Sequence, residues 1–248
     1  MLLEHKVVLI TGAASGIGEA TARLCIEEGA AVWLADLNEE KGVVLARALG
    51  DKAAFTQCDV TDEQQVASLV DEVVERYHRL DCAVNNAGIS GSPDAIENIS
   101  LENWQQVMNV NLTSVFLCLK HELKQMQRQG SGAIVNISSE SGLIGEPNMA
   151  GYCATKHGVL GLSKTAALEN VKNGIRVNAV LPGSVRTPML DQFLDLGPDV
   201  EKMILESVPC GRFGQPEEIA QNVVWLCSDR ASYVSGSAMS VDYANVCR

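Results

Sequence analysis

The sequence predicts a doubly wound α/β domain, and three observations carry that prediction. Short apolar runs alternate with amphipathic segments from one end of the chain to the other. The apolar runs are nearly continuous, as in parallel strands covered on both faces. A glycine-rich segment, Thr11 to Gly18, joins the first apolar run to the first amphipathic stretch. Such folds turn from strand to helix at that place.

The elements follow in order. Residues 6–11 read as a buried strand and 16–29 as the helix after it. The pair repeats at 31–36 and 39–49, and again at 53–58 and 61–78. Asp62 and Glu63 fall in the first turn of that third helix, where the macrodipole favours negative charge. A fourth strand is expected at 80–85, a long helix at 101–129 and a fifth strand at 132–138. Tyr152 falls in a helix running to about Lys172, and a sixth strand follows at 175–181. A helix at 215–227 opens on Pro216, a residue suited to a first turn. A short strand at 238–241 closes the pattern. Residues 184–208 break the rhythm with proline, glycine and mixed polarity, and read as an irregular substrate lid. No repeat, low-complexity tract or linker divides the chain, so residues 1–248 are expected to form one domain.

Bulk composition excludes several function classes. Apolar residues make up 46% and charged residues 20%, as in ordinary globular proteins. A net charge of −12 without any basic cluster argues against a nucleic-acid partner. No run approaches the ~20 apolar residues of a membrane span, so no membrane is expected as a partner. The N-terminus lacks a signal-peptide pattern. Eight scattered cysteines without a C-x-x-C pair predict buried free thiols and a cytoplasmic location. Cys153, beside Tyr152, is the thiol to watch. His5, His78, His121 and His157 lack ligand spacing, and no metal is expected.

Two segments carry chemistry. Tyr152 and Lys156 lie one helical turn apart, so phenol and ammonium share a face. A free tyrosine titrates near pH ~10, and lowering that by about three units takes roughly 4 kcal/mol. A cation at ~4 Å in partly screened surroundings supplies about that much. The pair is therefore a candidate proton-transfer site, or a solvated surface pair. The turn Gly12-Ala13-Ala14-Ser15-Gly16-Ile17-Gly18 has the spacing G-x-x-x-G-x-G. Its glycines suit close backbone approach to a pyrophosphate at a helix N-terminus. Asp36, followed by Leu37, ends the second strand where an acidic residue binds a ribose diol, or caps the next helix. No arginine or lysine at 13–15 or 37–38 neutralises a 2′-phosphate, which favours NAD as cofactor. Asp59 and Val60 end the third strand, where Asp59 meets an adenine amino group or serves as a turn residue.

Together these motifs resemble the short-chain dehydrogenase/reductase family along nearly the whole chain. The resemblance also rests on Asn85-Asn86-Ala87-Gly88, Asn109-Val110-Asn111, Val135-Asn136-Ile137-Ser138-Ser139 and Leu181-Pro182-Gly183. It implies a Rossmann-type domain with a seven-stranded parallel sheet flanked by helices on both faces, a nicotinamide cofactor and a homotetramer or dimer. It implies Tyr152 as general acid/base, and Lys156 as the residue that lowers its pKa and holds the nicotinamide ribose. It implies Ser139 as the hydroxyl that orients the substrate oxygen, with Ser138 structural. Asn111 matches an asparagine that kinks its helix and anchors a relay water. Asn86, Ala87 and Gly88 are expected beside the adenosine side of the cofactor, although Asn86 has a second reading as a brace for the sheet centre. Pro182, Gly183, Val185 and Thr187 are expected around the nicotinamide, with Thr187 as a helix cap the rival reading.

Two departures stand out. The family commonly ends in Val-Asp-Gly-Gly, whereas this chain has Val241-Asp242-Tyr243-Ala244, so a different C-terminal turn is expected. Glu140 directly follows Ser139, and either narrows the substrate range or faces solvent. Candidate substrate-pocket residues are Ser139 and Tyr152 with Ser90, Ser141, Leu143, Ile144, Met149, Val185, Met189, Leu190 and Phe193. Their mostly apolar character suggests a cyclic, aromatic, steroid-like or acyl ketone. The leading reading is an NAD-dependent secondary-alcohol dehydrogenase. The alternatives are a 3-oxoacyl-thioester reductase and a non-catalytic dinucleotide-sensing protein.

Overall fold

Strand β1 (Val7–Thr11) has all five residues buried, which places it inside a sheet rather than at an edge. Around it lie β2 (Ala31–Asp36) and β3 (Ala53–Gln57) on one side. On the other lie β4 (Cys82–Asn85), β5 (Gly132–Ile137), β6 (Ile175–Pro182) and β7 (Ala238–Val241). The order is β3-β2-β1-β4-β5-β6-β7, with every pair parallel. The computed structural model describes residues 1–195 and 197–247.

Both faces of the sheet are covered, which is why its strands are apolar throughout. Val8 and Ile10 of β1 pack on one face with Ala22 of α1 (Gly16–Glu27), Leu45 of α2 (Glu39–Leu49) and Val223 of a C-terminal helix, Pro216–Cys227. Val7 and Leu9 face the other way. They meet Leu69 of α3 (Glu63–Tyr77), Leu119 of a helix at Ser114–Gln129 and Val159 of a helix at Ala150–Asn170. The sequence order reverses direction between β1 and β4, so a crevice opens beyond their C-terminal ends.

The expected doubly wound architecture is thus observed, with four local corrections. The long helix expected at 101–129 is α4 (Leu101–Met108) and α5 (Ser114–Gln129), joined by a π-helical turn at Asn109–Thr113. The third helix begins one residue after Asp62, whose carboxylate caps it by accepting from the backbone N–H of Gln64 and Gln65. The region expected to be irregular is largely helical. After α6 (Ala150–Asn170) and β6 come α7 (Pro188–Leu194) and α8 (Pro198–Ser207), each opened by a proline. Leu196, within the expected lid, lies outside the described residues. Finally, Tyr243 and Ala244 both have left-handed backbone, with φ of 51° and 71°. The C-terminal turn, beyond α9 (Pro216–Cys227) and β7, therefore keeps a conformation suited to glycine despite carrying side chains.

Among the described residues the eight thiols are free, and Cys210 and Cys247 are the two that are not buried. No helix among them is long and apolar enough to cross a membrane.

Candidate active site

The crevice holds a cleft of about 440 Å³. Its first wall is the glycine turn. Gly12 has φ +61°, and a Cβ there would lie 2.8 Å from the Ala87 Cα. Asn86 fixes this contact by donating its side-chain amide to the carbonyls of Thr11 (3.1 Å) and Gly12 (2.8 Å). Ser15 caps α1 with extended backbone and no side-chain hydrogen bond, leaving first-turn N–H groups free to meet an anion. Gly18 does not line the cleft, contrary to expectation. A Cβ there would sit 2.2 Å from the Gly12 carbonyl oxygen, so its role is to let the helix close on the turn.

Asp36 lines the cleft with Leu37, Asp59 and Val60. One carboxylate oxygen of Asp36 accepts from the Ala14 N–H and the other from the Asn38 N–H, both at 2.9 Å. The cap of α2 is instead Asn38, which accepts from the Lys41 N–H. Asp59 accepts from the N–H and hydroxyl of Thr61 within its own turn while still facing the cleft.

The opposite wall brings together the three groups expected to do chemistry. Ser138 and Ser139 follow the end of β5, and the first two turns of α6 carry Tyr152 and Lys156. All four line the cleft. Ser138 donates to the Lys156 carbonyl at 2.9 Å and ties strand to helix, a structural role. Lys156 is buried, donates to the Ile137 carbonyl at 3.0 Å, and sits with Nζ 5.4 Å from the centre of the Tyr152 ring.

The electrostatics of this pair differ from the sequence expectation. Burial pushes the Tyr152 phenol up to about 12, opposed by a hydrogen bond with Ser139 and reinforced by the nearby Glu146, Cys153 and Glu140. Burial also brings Lys156 down to about 8. Reasoning from the pair alone counted the ammonium's attraction and omitted the desolvation that both groups share.

Asn111 does not line the cleft. It lies in the π turn, where its amide accepts from the Ile89 N–H and donates to the Ile89 carbonyl, both at 2.8 Å. Its direct effect is to hold Ile89, which does line the cleft.

Pro182, Gly183, Val185 and Thr187 line the cleft, and Thr187 also caps α7 by accepting from the Leu190 N–H. Ser90, Ser141, Met149, Met189, Leu190 and Phe193, expected around the substrate, also line the cleft. Leu143 and Ile144 are the corrections. The 3-10 turn at Glu140–Gly142 leaves Leu143 47% exposed, and neither residue lines the cleft. Glu140 does not face solvent. It is buried on the cleft wall and accepts from the Asn245 amide at 2.5 Å. Sequence reasoning missed Glu146, which lines the cleft and accepts from the Ser141 hydroxyl at 2.8 Å. A carboxylate six residues before Tyr152, inside an otherwise apolar stretch, was the available signal.

A doubly wound sheet, a turn shaped for a pyrophosphate and a half-buried tyrosine beside a buried lysine in the same crevice define a dinucleotide-dependent oxidoreductase. The comparisons with known proteins agree. Residues 12–243 match the family described as enoyl-(acyl carrier protein) reductase. The chain is 42% identical to 2,5-dichloro-2,5-cyclohexadiene-1,4-diol dehydrogenase of Sphingobium indicum, covering 97% of this chain and 96% of that protein. It is 44% identical to cyclohexanol dehydrogenase of an Acinetobacter species, covering 97% and 94%. Among solved structures, a 3-ketoacyl-(acyl-carrier-protein) reductase of Brucella melitensis complexed with NADH superposes with a TM-score of 0.93 at 32% identity, covering 98% and 99%. The chain belongs to the short-chain dehydrogenase/reductase family, and is an oxidoreductase of alcohol and carbonyl groups.

Proposed function

We propose that this chain interconverts a cyclic secondary alcohol and its ketone with NAD(H). One observation carries the reading: Ser139, Tyr152 and Lys156 share a cleft with the glycine turn and Asp36. That arrangement puts a proton-transfer group within one cavity of a dinucleotide cradle.

The residues present fit the cofactor. The cradle at Gly12 has no room for a Cβ, and the free N–H groups of α1 suit a pyrophosphate. Asp36 faces the ribose end, and repels a 2′-phosphate. Asn86, Ala87 and Gly88 flank the adenosine side, and Pro182, Gly183, Val185 and Thr187 the nicotinamide side. When bound, the dinucleotide supplies the hydride acceptor for oxidation and the hydride donor for reduction.

Tyr152 exchanges the proton of the substrate hydroxyl. Moving that phenol from about 12 to neutral pH is worth about 7 kcal/mol. Ser139 offsets part of this with its hydrogen bond, and a charged Lys156, 5.4 Å from the ring centre, favours the phenolate. Asn111 fixes Ile89 on the cleft wall. The apolar walls at Met149, Met189, Leu190 and Phe193 receive the ring of the substrate. The names of the two dehydrogenases above point the same way. We also assign residues 184–208 as the substrate lid, a homotetramer as the assembly, and the cytoplasm as the location.

A screen of NAD⁺ reduction against cyclic alcohols, diols, hydroxysteroids and 3-hydroxyacyl thioesters tests the reading. Tyr152→Phe is expected to abolish turnover while NADH still binds. A near-normal rate in that variant overturns the assignment. The likeness to the Brucella enzyme favours 3-oxoacyl-thioester reduction as a second reading. A higher rate with NADPH and a thioester than with NADH and a cyclic ketone decides for it.

A further inference from the structure

The two places where the sequence departs from its family pattern meet in the structure. Glu140 directly follows Ser139, and Asn245 directly follows the altered C-terminal turn. Both side chains are buried. The Asn245 amide donates to the Glu140 carboxylate at 2.5 Å, joining the last turn of the chain to the cleft wall.

Both ends of this link are firmly seated. The Asp242 carboxylate braces the tail by accepting from the N–H of Ala244 at 3.2 Å and of Val246 at 2.9 Å. Arg212, held by Glu218 at 2.8 and 2.7 Å, lies 5.8 Å from the centre of the Tyr243 ring. At the other end, the turn Glu140–Gly142 is pressed against α6. A Cβ at Gly142 would lie 2.6 Å from Ser138 Oγ and 3.0 Å from the Lys156 carbonyl oxygen. Ser139 belongs to the same unit, since its hydroxyl caps the turn by accepting from the Ser141 N–H at 3.2 Å. The carboxylate also borders the loop after β6. A Cβ at Gly183 would lie 3.3 Å from Glu140 Oε2 and 3.0 Å from the Asp242 Cα.

We propose that Asn245 is a positioning residue: by holding Glu140, the C-terminal turn sets where Ser139 stands in the cleft. The inference rests on the function proposed above, with Ser139 at the reacting oxygen. A buried carboxylate needs donors. With one donor fewer, the Glu140 carboxylate gains by turning toward water, and the open side is the cleft that it already lines. That rotation pulls on the residue after Ser139 and displaces its hydroxyl. A displacement of about 1 Å at a reacting group costs on the order of 100-fold in rate. The cofactor loop is spared, because the Gly183 N–H keeps its own bond to the Val241 carbonyl at 3.2 Å.

The test uses the intact enzyme, NAD⁺ and a cyclic alcohol that the wild type oxidises. Asn245→Leu keeps most of the volume without a donor, and Asn245→Asp sets a second carboxylate against Glu140. Each is expected to lower kcat by about tenfold or more. The NADH Kd should stay within about twofold, which also shows that the variant folds. If one of the two fails to bind NADH, the other decides. The double variant Glu140→Gln/Asn245→Asp restores the link with donor and acceptor exchanged, and should recover kcat to within about threefold of wild type. A link that serves stability alone would lower Tm and leave kcat unchanged well below it. Wild-type kcat in a folded single variant, or a double variant no faster than Asn245→Asp, overturns the proposal. If Tyr152→Phe is inactive while the Asn245 variants turn over at full rate, only the positioning role fails. If Tyr152→Phe stays active, the function itself fails.

Discussion

Glu122 of α5 gives a prediction with a magnitude. Its side chain is fully buried beneath the sheet, and one carboxyl oxygen accepts from the Asn85 amide at 3.0 Å. The other oxygen has no partner among the described residues. Burial raises its pKa from 4.5 to about 7, with the Asn85 hydrogen bond opposing. The folded value thus lies above the unfolded one. Below pH 4.5 both states hold the proton and nothing is lost. Between 4.5 and about 7 the unfolded chain releases it while the folded chain keeps it, so stability falls as pH rises. Above about 7 the full cost applies, and a shift of that size is worth about 3 kcal/mol. Glu122→Gln keeps an acceptor for Asn85 and removes the ionisation. Urea unfolding of both proteins at pH 5 and pH 8, at one protein concentration, isolates the effect, because every other group titrates alike in the two. The variant should gain most of that ~3 kcal/mol relative to wild type on going from pH 5 to pH 8. Parallel stability curves, within about 0.5 kcal/mol, would show that burial does not hold the proton.

Two further outcomes follow from the geometry. Asp36→Ala removes a charged partner for the cofactor ribose, and hydrogen bonds to charged groups contribute ~1.5–3 kcal/mol. The KM for NAD⁺ should rise by roughly tenfold or more, with the NAD-over-NADP preference falling in parallel. An unchanged KM would mean that Asp36 serves only to hold the Ala14 and Asn38 N–H groups. Ala244→Gly places a permissive residue at φ 71° on an exposed turn. Relief of left-handed strain, less the added freedom of the unfolded chain, should stabilise by about 0.5–1 kcal/mol, and thermal unfolding with an unraised Tm would contradict that.

Most of the architecture was legible because the sheet is buried on both faces. Strands such as Val7–Thr11 then read as unbroken apolar runs, and the helices between them keep a polar face. The π turn at Asn109–Thr113 was not legible from periodicity. One inserted residue leaves the apolar spacing of a long helix nearly unchanged, and only the family resemblance pointed at Asn111. Proline misled at 188 and 198, where it was taken as a breaker yet occupies the first turn of a helix. Within the site, the motif residues on strand ends and helix starts, Gly18 apart, came to line the cleft. Leu143 and Ile144 did not, because the 3-10 turn after Ser139 changes which side chains face inward. The titration of Tyr152 could not be read from its spacing to Lys156, since burial is a property of the whole fold.

The structural and functional readings that a sequence sets against each other are not rivals in this cleft. Asp36 both pins the glycine turn through Ala14 and presents its carboxylate to the cavity. Asn86 lines the cavity while its amide holds the Gly12 carbonyl, and Thr187 lines it while capping α7. Asp59 closes its own turn at the cavity edge. A polar group in a half-buried wall must have partners whether or not a ligand is bound. Those partners also set its orientation, which is what recognition of a dinucleotide demands. Substituting such a residue therefore perturbs loop and ligand together. Only a pair of changes at one such residue, one preserving the hydrogen bond and the other removing it, separates positioning from chemistry.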